Sequence, residues 1–119
     1  MPPDRDPAYL WDMLQYAMQA EKSSRDLSFE QYRQDEIRRL AIERVIEVIG
    51  EAARKVSPEF KEAHPEVPWR AITAQRIVLA HLYHNIDDAK IWDVATKKVP
   101  ELIRLLQPLI PPLPPPVQE

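Results

Sequence analysis

The chain has no cysteine. Disulfide staples, thiolate nucleophiles and cysteine-ligated zinc are therefore excluded. It has one glycine, Gly50, against 13 prolines in 119 residues. Tight hairpin turns draw on glycine, so a strand-and-turn architecture fits poorly and a helical chain punctuated by proline fits well. It has no apolar run of about 18 residues to span a bilayer and no charged-then-apolar leader, so a soluble, cytoplasmic protein without a membrane partner is expected. It also lacks positive charge: 16 lysines and arginines face 19 acidic residues, for a net charge of −3. A protein that binds nucleic acid non-specifically is usually basic. Any nucleic-acid contact here must come from a local patch or a single site.

What is present reads as one all-α domain, an antiparallel bundle of four to five helices over residues 1–107, followed by a flexible proline-rich tail over 108–119. Asp6-Pro7 has the form of an N-cap with proline in the first turn, and Leu10, Met13, Leu14 and Ala17 recur at helical spacing, predicting a first helix over 7–23. Ser28 and Gln31 form a capping box, from which a long helix is expected to run to about Val56. Its apolar residues make two stripes: Ile37, Leu40, Ala41, Val45, Val48, Ala52 and Val56 on one, Ile42, Ile46, Ile49 and Ala53 on the other. A single surface helix shows one stripe, so two imply burial over a wide arc, at the bundle centre or in a subunit interface. Gly50 inside that helix costs about 1 kcal/mol relative to alanine, tolerable either through close approach of another backbone or as a neutral position.

Ser57-Pro58 caps a short helix that His64-Pro65 ends. Pro68-Trp69 starts the next helix, expected to reach Leu82 or Tyr83 and to break at His84-Asn85. Asp87 caps a last helix over 88–107, with Ile91, Trp92, Ala95, Val99, Leu102, Ile103, Leu106 and Leu109 as its core positions. Pro100 removes the amide that would bond to the Thr96 carbonyl, so a kink is expected there. The Pro108–Glu119 stretch carries PxxP spacings in an extended, polyproline-type segment, read as a passive tail.

The chemistry concentrates in Arg76-Ile77-Val78-Leu79-Ala80-His81-Leu82-Tyr83. A permanently charged guanidinium, an imidazole that titrates near neutrality and a phenol suit work on phosphates. At ~100° per residue, Arg76 and Tyr83 share a helix face while His81 points about 140° away from Arg76. Bringing Arg76 and His81 together therefore needs a helix break or a second copy of the chain. Taken singly, an arginine near a helix end is usually a solvated charge, and a lone histidine or tyrosine is usually structural. His81 and His84 lack a completing ligand set beyond Asp87 and Asp88, so no metal and no cofactor are expected.

Arg76, four residues, His81, one residue, Tyr83, with Pro68-Trp69-Arg70 upstream, Ile86-Asp87 and Ile91-Trp92-Asp93 downstream and Gly50-Glu51-Ala52-Ala53 closing the long helix, resembles the HepT-like toxins of the HEPN superfamily. The resemblance runs from about Tyr9 to Leu106. It implies a small helical homodimer and a metal-independent ribonuclease toxin, cutting RNA such as tRNA or mRNA in a cleft around the dimer axis. Carried over, Arg76 would stabilise charge on the phosphorane and His81 would act as general acid or base on the ribose 2′-hydroxyl or the leaving oxygen. Tyr83 would be the tyrosine that a partner MntA-like nucleotidyltransferase antitoxin modifies with AMP. Members commonly have a polar residue after the arginine, where this chain has Ile77. That departure leaves a second reading, a non-catalytic helical dimer serving as a binding or regulatory subunit for a nucleotidyltransferase. Arg70, Arg54, Lys55, Lys97 and Lys98 are the candidate RNA or phosphate contacts, each equally explicable as a solvated surface cation.

Overall fold

The computed structural model describes residues 5–74 and 87–110. All regular structure among them is helical. The elements are α1 (Asp6–Ser24), α2 (Phe29–Gln34), α3 (Glu36–Lys55), α4 (Pro58–Ala63), the described residues 69–74 of α5, α6 (Asp88–Asp93) and α7 (Val99–Leu106). A π-helical turn, Val94–Lys98, joins α6 to α7, and a 3-10 turn, Gln107–Leu109, follows.

Two tethers at opposite ends set α1 against α3 in antiparallel fashion. At one end, Asp6 at the start of α1 accepts from the Ser57 amide at 2.9 Å and the Ser57 hydroxyl at 2.6 Å, just beyond the end of α3. At the other, Arg38 in the first turn of α3 donates to the Ser23 carbonyl at 2.8 Å, near the end of α1. This pairing corrects the sequence-based reading of Asp6 as an N-cap. Arg5 occupies that position without a side-chain cap, and Pro7 still lies in the first turn. The Asp6 carboxylate is consumed instead by a partner 51 residues away, and an N-cap aspartate would have spent it on its own helix.

The expected single helix from Ser28 to Val56 is two helices. The Ser28–Gln31 capping box forms as read. At Asp35, however, the backbone turns extended (φ −102°, ψ 91°) and its carboxylate accepts from the Arg38 amide at 3.0 Å. An aspartate that caps the following turn competes with helix continuation, so the chain restarts as α3.

Of the two stripes, Ile42, Ile46, Ile49 and Ala53 are buried. The other is buried only late, at Ala52 and Val56, while Ile37 is 81% and Leu40 57% exposed. The expected burial over a wide arc is thus met within this chain only by the C-terminal half of α3, because no described element covers Ile37 and Leu40. Gly50 is buried, and the fully buried Ala17, Ala20 and Ala53 in the same core fit the close approach of α1 and α3 that glycine permits.

The core has two parts. The larger gathers Leu10, Met13 and Ala17 of α1, Ile49 and Ala53 of α3, Trp69 of α5, and Val99, Leu102 and Leu106 of α7, with Leu109 and Ile110 packed at its edge. The smaller joins Tyr32 of α2, Ile42 and Ile46 of α3, and Ile91 of α6 with Ala95 of the π turn. Pro100 perturbs the last helix as its chemistry requires, but the distortion is a π turn upstream of it: the Val99 amide reaches back five residues to the Val94 carbonyl. The Thr96 hydroxyl donates to the Trp92 carbonyl at 2.7 Å. Proline cannot bond to Thr96, and a widened turn lets the neighbouring backbone groups regain partners.

Candidate functional site

Arg76, Ile77, His81, Tyr83 and His84 lie outside the described residues. What the structure fixes is the frame on either side of them. Upstream, Ser57 caps α4 by accepting from the Phe60 amide at 3.2 Å, and His64 leaves the helical region ahead of Pro65. The His64 carbonyl then accepts from the Val67 amide at 3.3 Å and the Trp69 indole Nε1 at 2.9 Å. Phe60 meets Trp69 edge-on at 6.2 Å and lies 4.4 Å from the His64 ring. An indole held by one hydrogen bond and one ring contact gives the start of α5 a defined orientation.

Downstream, Asp87 accepts from the Ala89 and Lys90 amides at 2.9 and 3.3 Å, the cap anticipated from the sequence. Asp88 then faces Arg39 of α3 at 3.6 Å. The Tyr32 and Trp92 rings are 5.0 Å apart, with Phe29 at 6.3 Å from Trp92. Near them sits a polar group whose assembly is largely non-local: Tyr32, Arg39, Glu43 and Asp88. Burial, then Glu43 and Asp88, push the Tyr32 phenol well above its ordinary range. Burial, then Asp88, also raise the Glu43 carboxyl, against the pull of Arg39. Among the described residues, the Tyr32 hydroxyl and the Arg39 Nε have no hydrogen-bond partner although both are buried. The i, i+4 spacing of Arg39 and Glu43 is the one local signal for this group.

The candidate phosphate contacts divide between elements. Arg54 and Lys55 end α3 and share Glu51, at 3.0 and 3.9 Å, and Lys55 also lies 5.9 Å over the Tyr9 ring. Lys97 pairs with Asp93 at 3.1 Å in the π turn, where Lys98 is exposed. Arg70 is exposed on α5 and lines a cleft together with Lys61. Lys61 was not legible as a site residue: a lone lysine in a short helix carries no pattern. It lies close to Arg54, to whose carbonyl its Nζ donates at 3.5 Å. Among the described residues no group of three or more histidines or carboxylates could hold a metal ion. No helix of the described residues is long and apolar enough to cross a membrane.

An all-α frame that fixes both ends of an Arg-x4-His-x-Tyr segment defines a class of small helical proteins, and comparison with known proteins says which. The chain matches the family described as "Ribonuclease HepT-like" over residues 13–109. This protein belongs to that family, within the HEPN superfamily. It is 33% identical over 94 residues to "Probable ribonuclease HepT" of Thermococcus cleftensis, covering 79% of this chain and 86% of that protein. It is 32% identical over 95 residues to "Putative RNase MJ1380" of Methanocaldococcus jannaschii, covering 80% of this chain and 87% of that one. No solved structure matches it.

Proposed function

We propose that this chain is a metal-independent endoribonuclease and the toxin of a toxin–antitoxin pair, with Arg76 and His81 as its catalytic residues. The observation that carries this reading is the family match over residues 13–109 in a chain that holds the complete Arg76, His81, Tyr83 pattern. In the reaction the ribose 2′-oxygen attacks the adjacent phosphorus. The 2′-O–P bond forms, the P–O5′ bond breaks, one proton leaves the 2′-hydroxyl and one reaches the departing 5′-oxygen. A cyclic 2′,3′-phosphate remains on one fragment. His81 handles one of these protons, since imidazole exchanges them near pH 7, and the Arg76 fork stabilises the extra charge on the phosphorane. The need for a 2′-hydroxyl makes RNA the substrate.

The chain acts as a homodimer in the cytoplasm. The exposed Ile37 and Leu40 at the start of α3 support an apolar contact with a second copy, and a dimer would supply an Arg76 and a His81 to one cleft from different subunits. Tyr83 is the site at which a partner MntA-like nucleotidyltransferase attaches AMP, which places anionic bulk beside the cleft and repels RNA. Ile77 favours one second reading. It withdraws a polar group next to Arg76, as in a non-catalytic dimer that serves as the nucleotidyltransferase's regulatory subunit.

Expression of Arg76→Ala and His81→Ala variants, with total RNA examined alongside growth, separates these readings. Each substitution is expected to abolish both growth arrest and RNA cleavage while size-exclusion chromatography shows an unchanged dimer. Full toxicity in both variants sinks the assignment. For Tyr83, incubation with the partner and ATP is expected to add AMP by intact mass, and Tyr83→Phe to prevent it. An unmodified wild-type chain under those conditions removes the antitoxin proposal.

A further inference from the structure

The overall charge of −3 poses a question that the catalytic pair does not answer: what holds a polyanion on this molecule. We infer that the cleft between α4 and α5 holds the phosphodiester backbone of the RNA strand next to the cut, with Lys61 and Arg70 as its cationic contacts. The inference rests on the ribonuclease reading and extends its site.

The cleft is broad and open to solvent, with a volume of about 680 Å³. Among the described residues its lining includes Lys61, Pro65, Val67, Trp69, Arg70 and Thr73, with two cations and no carboxylate. An unpaired arginine is unusual in this protein. Among the described arginines only Arg5 and Arg70 make no ion pair; Arg25, Arg33, Arg38, Arg39, Arg44, Arg54 and Arg104 all face a carboxylate. Lys61, like Lys22, Lys90 and Lys98, makes no ion pair among the described residues, but of these four it alone lines the cleft beside Arg70, and its one hydrogen bond goes to a backbone carbonyl. Burial and then Arg54 lower its ammonium pKa, with Asp6 pulling the other way. A phosphate in the cleft would supply the counter-charge that both cations lack.

Another cleft among the described residues, about 550 Å³, shows the contrast. Its one cation, Arg25, is already paired with Glu21 of the same lining at 3.0 Å. It offers an anion nothing. In the first cleft the apolar wall is also rigid, because the Trp69 indole is fixed by His64 and Phe60. A fixed wall beside two free cations is suited to the sugar and phosphate of a single strand. The position in the chain suits the role as well: Thr73, at one end of the lining, precedes Arg76 by three residues.

The test uses the full chain and a short single-stranded RNA with 2′-O-methyl ribose, which cannot be cut, followed by fluorescence anisotropy over a salt series. A Lys61→Gln/Arg70→Gln double variant is expected to weaken binding at least ~10-fold and to flatten the slope of log K against log salt by about 1.4, the share of two single-strand phosphate contacts. The charge-conserving Lys61→Arg/Arg70→Lys pair is expected to retain the wild-type slope, and thermal melts report whether each variant folds. Wild-type affinity and slope in the double glutamine variant overturn the inference, as does a variant that loses only its partner protein while keeping RNA. Cleavable RNA run in parallel separates the two readings. If wild-type protein cuts RNA and the double variant cuts it equally well, the cleft falls alone. If wild-type protein binds RNA through the cleft but never cuts it, the ribonuclease reading falls and the cleft stands.

Discussion

The two parts of the core treat buried polar groups in opposite ways. In the larger part, the buried Asp6 and Ser57 satisfy each other completely: the carboxylate accepts from both the amide and the hydroxyl, and that hydroxyl in turn accepts from Phe60. In the smaller part, the Tyr32 hydroxyl and Arg39 Nε are buried without partners, beside a Glu43 carboxyl raised by burial and by Asp88. A satisfied buried group holds a fold together, whereas an unsatisfied one costs the desolvation of the group and returns nothing. The satisfied pair closes the end of the bundle away from Arg38. The unsatisfied group adjoins Asp88, directly after the segment that carries the motif.

Three substitutions test this contrast. Asp6→Ala has the largest expected effect, a loss of about 1–3 kcal/mol in chemical denaturation, because it strands the Ser57 amide and hydroxyl. An unchanged midpoint would show that the tether is not holding α1 to α3. Glu43→Gln should act the other way and more weakly. A carboxyl raised in the folded state contributes stability below its unfolded pKa and loses it as pH rises through the folded value. The glutamine variant is therefore expected to melt higher than wild type at pH 7, with the difference vanishing below about pH 4. A difference that stays constant across that range contradicts the assignment. Tyr32→Phe should have the smallest effect, within about 0.5 kcal/mol of wild type or slightly stabilising, since it removes a hydroxyl that bonds to nothing. A loss comparable to that of Asp6→Ala would mean that the phenol has a partner in solution.

The sequence made local features legible and long-range ones not. Ser28 with Gln31, Ser57 before Pro58, and Asp87 before Asp88 all cap as read, because each cap is decided within four residues. Asp35 was missed because the apolar period passes through it without a proline or glycine, and only its side chain's bond to Arg38 marks the break. The Asp6–Ser57 tether spans 51 residues and leaves no local trace. In the site, the frame at Trp69 and Asp87 was readable from prolines and caps. Arg76, His81 and Tyr83 were readable as a pattern, but their mutual placement was not, since five-residue spacing at regular helical pitch would turn Arg76 and His81 about 140° apart. Lys61 was invisible because its meaning comes from what it lacks, a carboxylate.

The π turn at Val94–Lys98 decides more than the shape of one helix. Ile91 and Ala95 ahead of and inside it belong to the smaller core part, while Val99, Leu102 and Leu106 beyond it belong to the larger. An ordinary helix carries one apolar stripe along a nearly constant heading. The extra residue in the widened turn resets that heading partway along, so a single strut faces two different interiors in succession. Forcing the same residues into regular pitch, with none removed, would swing everything after the turn by ~100°, turning Leu102 and Leu106 out of the larger core. The turn acts as a universal joint, and its length is part of the blueprint.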